Sequence, residues 1–193
     1  MISLNIAIDI DDTITDTYES MMPLVAINYD LDLKKLWANK PSYKELSKTL
    51  PNFDEFIQNN YHILANIVSV KEDAIKVLKK LRSEGHRIII ITARNTEEYS
   101  NPYKLTYDYL VRKGIPFDKL ITNVGNKGLQ CVTEGVDVFL DDNTKNCKSA
   151  MKYKIKTYQF KSNFSSPEDK IKRVNNWQEF YNIISELAKE TNN

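Results

Sequence analysis

The hydrophobic pattern begins with a run, Leu4-Asn5-Ile6-Ala7-Ile8-Asp9-Ile10, that is almost wholly apolar and then meets Asp11 and Asp12. An Ile-rich run of this kind predicts a strand buried on both faces. It ends in three carboxylates within four residues, which is a costly way to finish a core strand. In an extended chain Asp9 and Asp11 fall on one side and Asp12 on the other. Carboxylates crowded on one side repel unless a cation sits between them or one keeps its proton. The junction is either a solvated acidic strand end or a metal-assisted site with an aspartate nucleophile.

Residues 14–69 follow a different pattern. Apolar residues recur at helical spacing (Met21, Met22, Leu24, Val25, then Leu31, Leu33, Leu36, Trp37), with breaks expected at Pro23, Pro41 and Pro51. Aromatic side chains are dense here, and their simplest role is the core of a small lobe. With no strand-like stretch, the segment predicts a helical insertion.

From Lys71 onward helix and strand alternate. The spacing predicts helices over 72–84, 96–113, 127–134, 144–151 and 176–189, the first two closed by Gly85 and Gly114. Between them lie apolar runs read as strands at 87–92, 117–122, 136–140 and 155–160, and a polar loop at 162–167. Alternation of this kind predicts an α/β fold: a doubly wound, mostly parallel, Rossmann-like sheet, with the core in residues 1–13 and 70–193 and the helical lobe at 14–69.

Composition narrows the function classes. A chain of 193 residues holds one sizeable core, and its net charge of +1, without a strongly basic patch, argues against binding a nucleic-acid polymer or a membrane surface. Cys131 and Cys147 give no disulfide framework and read as reduced thiols; no histidine lies near either to make a nucleophile. His62 and His86 form no metal cluster. No apolar run reaches the ~18 residues of a membrane span, and Met1-Ile2-Ser3 leads directly into a strand rather than a signal peptide. A cytoplasmic protein is expected, in which Asn163-Phe164-Ser165 is a chance match to the glycosylation pattern.

Three of the expected strands end in polar groups: Asp9 and Asp11, then Thr92, then Asp141 and Asp142. In a parallel sheet these ends share one edge, where open α/β folds bind ligands. Lys127 lies in the loop Asn123-Val124-Gly125-Asn126-Lys127-Gly128 that opens a helix, a combination suited to phosphate.

The order Asp9-Ile10-Asp11-Asp12-Thr13, Thr92, Lys127, Asp141-Asp142 resembles the four motifs of the haloacid dehalogenase superfamily of phosphotransferases, over nearly the whole chain. The resemblance implies that Asp9 attacks phosphorus to give an aspartyl-phosphate, and that Asp11 protonates the leaving alkoxide and then deprotonates the hydrolytic water. It implies Mg²⁺ held by Asp9, the Asp11 backbone carbonyl and the Asp141-Asp142 pair, with Asp142 favoured as direct ligand and Asp141 behind it. Thr92, Ala93 and Lys127 would hold phosphoryl oxygens. Lys119 is the alternative lysine. The helical insertion would be the superfamily's cap, which excludes water and selects the leaving group.

More narrowly, the cap's size, Ile91-Thr92-Ala93-Arg94, Lys127-Gly128, Phe139-Leu140-Asp141-Asp142 and Arg173-Val174-Asn175-Asn176-Trp177 resemble the deoxyribonucleotidase-like branch (cytosolic 5′-nucleotidase type C). That branch removes 5′-phosphates from nucleotides, often deoxypyrimidine ones, so the expected partner is a small phosphorylated substrate, a nucleotide. Its characterised animal enzymes carry Gly where Asp12 stands and lack the Thr-Ala-Arg form of the second motif. Arg94 would either reach substrate or brace its loop. Trp37, Tyr43, Phe53 and Tyr61 are candidates to stack a base, an interaction of roughly 1–3 kcal/mol.

Three alternatives remain. One is a phosphatase of a sugar or cofactor phosphate. The second is a phospho-receiver domain, against which the third strand ends at Thr122 without an aspartate. The third is an inactive binding module, against which Asp9, Asp11, Thr92, Lys127 and Asp142 are all present.

Overall fold

The structure, a computed structural model, describes residues 2–162 and 168–190. The Asn163-Phe164-Ser165 pattern and most of the expected 162–167 loop lie outside them. Among the described residues six parallel strands form one sheet, β1 (Asn5–Ile8), β2 (Arg87–Ile91), β3 (Lys119–Ile121), β4 (Val138–Asp141), β5 (Lys156–Phe160) and β6 (Lys172–Val174), in the order β3-β2-β1-β4-β5-β6. The chain winds outward one way from β1 through β2 to β3, and the other way from β4 to β6. The reversal falls between β1 and β4, where a crevice opens at the carboxyl ends of the strands. Ile8 is in register with Ile90 on one side and Leu140 on the other, which brings the residues that follow, Asp9, Thr92 and Asp141-Asp142, to one edge.

Period-2 alternation divides the strand residues between two layers. Ile6, Ile8, Ile88, Ile90, Val138 and Leu140 face a core completed by Leu78, Tyr109, Trp177 and Phe180. These come from α5 (Ala74–Ser83), α6 (Pro102–Lys113) and α9 (Trp177–Glu190). Ala7, Ile89, Ile91 and Phe139 face the other way, against Cys131 of α7 (Lys127–Thr133) and Ala150 of α8 (Thr144–Lys152). Both cysteines are buried and free.

Helices α1 (Thr17–Asn28), α2 (Leu33–Asn39), α3 (Tyr43–Thr49) and α4 (Phe53–Ile67) enclose a hydrophobic cluster of their own. Phe53 lies at its centre, 6.3 Å from the ring of Tyr29 and 5.3 Å from that of Tyr43. The two ends of this segment are stitched together beside the sheet. Thr15 bridges Val70, Asp16 N–H donates to Ser69 O, and Lys71 Nζ pairs with Asp16 at 2.9 Å.

Three details differ from the sequence pattern. Pro23 lies inside α1 rather than breaking it. Its ring removes one helical hydrogen bond, a loss that the burial of Met21, Met22 and Val25 outweighs. The helix expected from 96 starts at Pro102, because Asn101 caps it and Pro102 suits its first turn. Finally, β6 is an additional strand, too short to leave a pattern in the sequence and held by its pairing with β5.

Candidate active site

Asp9 N–H donates to Leu140 O at 3.0 Å and ends the ladder between β1 and β4. The chain then turns sharply, because the N–H groups of Thr13, Ile14 and Thr15 all converge on Ile10 O. Asp12 takes the left-handed conformation this turn requires, with φ of 56°, which Asp tolerates better than most residues. Asp9 and Asp11 line one cavity, while the Asp12 carboxylate accepts from Tyr18 N–H and Ser162 Oγ and is buried outside it. Turn geometry, and not strand alternation, sets this division. Burial pushes Asp12 up to about 6, opposed by the Tyr18 hydrogen bond.

Asp141 and Asp142 follow β4 and behave differently. Asp141 accepts from Lys127 Nζ at 2.7 Å, Asn143 N–H at 2.8 Å and Asn146 Nδ2 at 3.1 Å. The Asp142 carboxylate receives no hydrogen bond from the described residues, although its backbone N–H donates to Thr13 Oγ1 at 3.0 Å. Carboxylate oxygens of Asp9, Asp141 and Asp142 lie within 4.8 Å of one another, all buried.

Lys127 is the first residue of α7, 3% exposed, and its ammonium contacts both Asp9 Oδ1 and Asp141 Oδ2. The helix starts there because Asn126 Oδ1 accepts Leu129 N–H at 3.0 Å. The same oxygen accepts Ser149 Oγ at 2.8 Å, tying α7 to α8. Three carboxylates thus face one ammonium. Burial, and the neighbouring Asp141 and Asp11, push Asp9 up to about 7 despite Lys127. Burial, Asp141 and Asp9 push Asp142 well above the carboxylate range. Burial would discharge Lys127, but Asp141 and Asp9 reverse that and raise it. An acidic cluster short of positive charge, with one carboxylate lacking donors among the described residues, has the donor set a hard divalent cation requires.

Asp11 is held from two sides. Arg94 Nε donates to Oδ2 at 3.0 Å and Nη2 to Oδ1 at 2.8 Å, while Thr17 Oγ1 donates to Oδ1 at 3.1 Å. Burial alone would raise Asp11, but the guanidinium and the hydroxyl bring it below the usual carboxylate range. Of the two roles open to Arg94 in the sequence, the structure gives it an ion pair, with Asp11 as the partner.

Thr92 Oγ1 accepts Arg94 N–H at 3.3 Å, which leaves its own hydroxyl proton directed elsewhere. Thr92, Ala93 and Lys127 line the same cavity as Asp9, Asp11 and Asp142, about 470 Å³ in volume. Lys119 does not; it is an exposed partner of Glu134 at 2.7 Å. Of the four aromatic candidates, Tyr43 and Tyr61 reach the cavity. Phe53 is buried inside the helical lobe, and Trp37 is 43% exposed away from the cavity. Sequence reasoning missed Tyr99, whose ring lies 5.9 Å from that of Tyr61, and Asn146, which holds Asp141. Asn146 has a signal, its position five residues after Asp141 at a helix start; Tyr99 sits in an irregular loop and has none. A larger groove of about 730 Å³, between β5, β6 and α9, is lined by none of these residues.

The fold is that of known haloacid dehalogenase-class proteins. A solved structure described as a predicted phosphatase from Clostridium acetobutylicum superposes with a TM-score of 0.65 at 16% identity, covering 96% of this chain and 100% of that one. A haloacid dehalogenase family hydrolase from Deinococcus radiodurans, solved with bound phosphate and sodium, gives 0.62 at 11% identity over 95% and 96% of the two chains. In sequence, a Clostridium acetobutylicum protein named as a nucleotidase is 30% identical over 99% of this chain and 98% of its own length. The model of the family "5′ nucleotidase, deoxy (Pyrimidine), cytosolic type C protein" matches residues 2–191. The chain is a phosphatase of the haloacid dehalogenase superfamily. It belongs to the cytosolic type C 5′-nucleotidase family. Among the described residues no helix is long and apolar enough to cross a membrane.

Proposed function

We propose that this chain is a Mg²⁺-dependent phosphomonoesterase that forms an aspartyl-phosphate and acts on nucleoside 5′-monophosphates, deoxynucleotides among them. The observation that carries the reading is the set of Asp9, Asp142 and Lys127, all buried, on a cavity that also holds Thr92 and Asp11, with the buried Asp141 carboxylate behind them. Asp9 and Asp142 would hold the cation with the Asp11 carbonyl, and Asp141, engaged by Lys127, Asn143 and Asn146, supports from behind. When bound, the cation would supply charge neutralisation for the phosphoryl group as negative charge builds on it.

Asp9 attacks phosphorus, the ester P–O bond breaks, and the leaving alkoxide takes a proton from Asp11. A phosphate dianion beside Asp11 raises its proton affinity, opposing Arg94. Water then attacks the phosphorus of the aspartyl-phosphate and gives its proton to Asp11. The bond to Asp9 breaks and inorganic phosphate leaves. Lys127, the Thr92 hydroxyl and the backbone N–H of Ala93 hold the phosphoryl oxygens throughout. Residues 14–69 act as a cap over a core of 1–13 and 70–193, a division supported by the lobe's separate hydrophobic cluster and its stitched ends. The cavity wall on that side, with Met21, Ile57, Tyr43 and Tyr61, is apolar and aromatic, which suits a nucleoside better than a sugar.

The test is a panel of phosphorylated metabolites with Asp9→Asn alongside. Nucleoside monophosphates should be turned over, EDTA should stop the reaction, and Asp9→Asn should abolish it without unfolding the protein. Turnover of sugar phosphates with indifference to nucleotides would overturn the substrate reading. Undiminished Asp9→Asn activity would overturn the mechanism.

A further inference from the structure

Arg94 is an unusual residue to bury. It is 3% exposed, and its Nη1 has no acceptor among the described residues. Its one ion pair among the described residues is the bidentate contact to Asp11, made by Nε and Nη2. Its root is fixed, since Arg94 N–H donates to Thr92 Oγ1 and its carbonyl accepts Asn123 N–H at 2.8 Å. A planar fork on a fixed root sets the plane of the carboxylate it grips as well as its position.

The other hand on Asp11 comes from a second element that lines the cavity. Thr17, the first residue of α1, donates to Asp11 Oδ1, and its oxygen accepts Asp12 N–H at 3.4 Å. This hydroxyl ties the carboxylate to the turn that carries it. Lys127, the other buried cation of the site, contacts Asp9 and Asp141 instead.

We infer that Arg94, assisted by Thr17, is the positioning residue for proton transfer at Asp11, setting the direction its carboxylate presents to the leaving oxygen and to the hydrolytic water. The inference rests on the proposed shuttle role of Asp11. It gives the Arg94 ion pair a consequence for proton transfer beyond bracing its loop, and assigns Arg94 no substrate binding. Displacing a proton-transfer group slows the chemical steps and leaves substrate affinity alone. The loss is greatest where the leaving group needs a proton most, and the phosphoenzyme, once formed, cannot recruit water.

The experiment compares a nucleoside 5′-monophosphate, which has a poor alkoxide leaving group, with p-nitrophenyl phosphate, which needs no proton to leave. Wild type, Arg94→Met, Arg94→Lys, Thr17→Val and Asp11→Asn are measured with Mg²⁺, together with acid-stable phosphoenzyme during aryl phosphate turnover. For Arg94→Met, kcat on the nucleotide should fall about 100-fold with KM nearly unchanged, within the range of lost acid–base catalysis. The rate of phosphoenzyme formation from the aryl ester should fall less than about tenfold, and phosphoenzyme should accumulate. Arg94→Lys should recover only part, since one ammonium cannot grip two oxygens. Thr17→Val should repeat the pattern more weakly, and it carries the test if Arg94→Met fails to fold. Equal losses in the rate of phosphoenzyme formation from the two substrates, or a rise in KM alone, in the folded Arg94 and Thr17 variants would overturn the inference. An Asp11→Asn protein that forms phosphoenzyme with equal losses from the two substrates would instead overturn the shuttle role itself.

Discussion

Lys127 and Asp141 are joined by a 2.7 Å ion pair buried on both sides, and the same ammonium also touches Asp9. One lysine therefore ties the end of β1 to the end of β4 across the crevice. Removing it leaves three carboxylates facing one another with no cation of the protein's own. In Lys127→Met, activity should fall at least about 100-fold, and the metal-free protein should lose roughly 3–5 kcal/mol. Added Mg²⁺ should restore part of the stability in urea unfolding and little of the activity. Unchanged stability without metal would show that the pair is not needed to hold the cluster.

Gly128 is the next residue, and its α-carbon lies directly against α8. A Cβ there would fall 2.5 Å from the carbonyl carbon of Ser149 and 2.6 Å from its Oγ. Gly128→Ala must push α7 away from α8, taking Lys127 with it. The expected result is a loss of roughly 1–3 kcal/mol, as for overpacking, with a larger fall in kcat than Ser149→Ala produces. Wild-type kinetics in Gly128→Ala would show that α7 can shift without moving the ammonium.

At the proposed metal site, protons and a divalent cation would compete for Asp9 and Asp142. Both carboxylates are raised, Asp9 to about 7, so metal-free protein keeps protons there that Mg²⁺ must displace. Calorimetry should find Mg²⁺ binding that releases protons and tightens as pH rises through about 7. At 100 times its Kd the cation should stabilise the fold by ~2.7 kcal/mol. Binding that is independent of pH would place the cation elsewhere.

Asp12 supplies a stability test away from the cavity. Its folded value of about 6 lies above the ordinary 3.8, so between those pH values the folded chain holds a proton that the unfolded chain releases. Stability from this group is full below about pH 4 and is lost as pH rises to about 6. Asp12→Asn removes the buried charge, keeps an acceptor for Tyr18 N–H and tolerates the left-handed backbone. In EDTA the variant should be more stable than wild type by roughly 1–3 kcal/mol at neutral pH, with the difference vanishing near pH 4. Equal differences at both pH values would mean that charge is not the cause.

The aromatic candidates divide sharply. Tyr61 lines the cavity beside Tyr99, whereas Trp37 faces away. Tyr61→Ala should raise KM for nucleoside monophosphates about tenfold, the value of one stacked base, and Trp37→Ala should leave it within about twofold. KM values on two nucleotides and one sugar phosphate decide this; a Trp37 effect equal to that of Tyr61 would remove the stacking role.

Much of this protein was legible in its chain because the signals are local. Ile6, Ile8 and Ile88 to Ile91 are strands because buried parallel strands need continuous apolar runs, and Gly85 and Gly114 end helices in the left-handed conformation they favour. The loop from Thr92 to Asn101 and the three-residue β6 left little trace, since neither has a period to detect. Pro23 misled because local propensity was overruled by burial in the lobe.

The sequence by itself determined the fold class and the cluster of Asp9, Asp11, Thr92, Lys127, Asp141 and Asp142 at one sheet edge, because strand register carries each strand's last residues to the same place. Only the tertiary structure decided which groups pair there. Asp141 is held by Lys127, Asn143 and Asn146 while Asp142 has no donor among the described residues; Arg94 grips Asp11; Tyr61 turns inward and Trp37 outward. Those choices depend on distances of a few ångströms between side chains separated by up to 83 residues, which no local pattern of residues records.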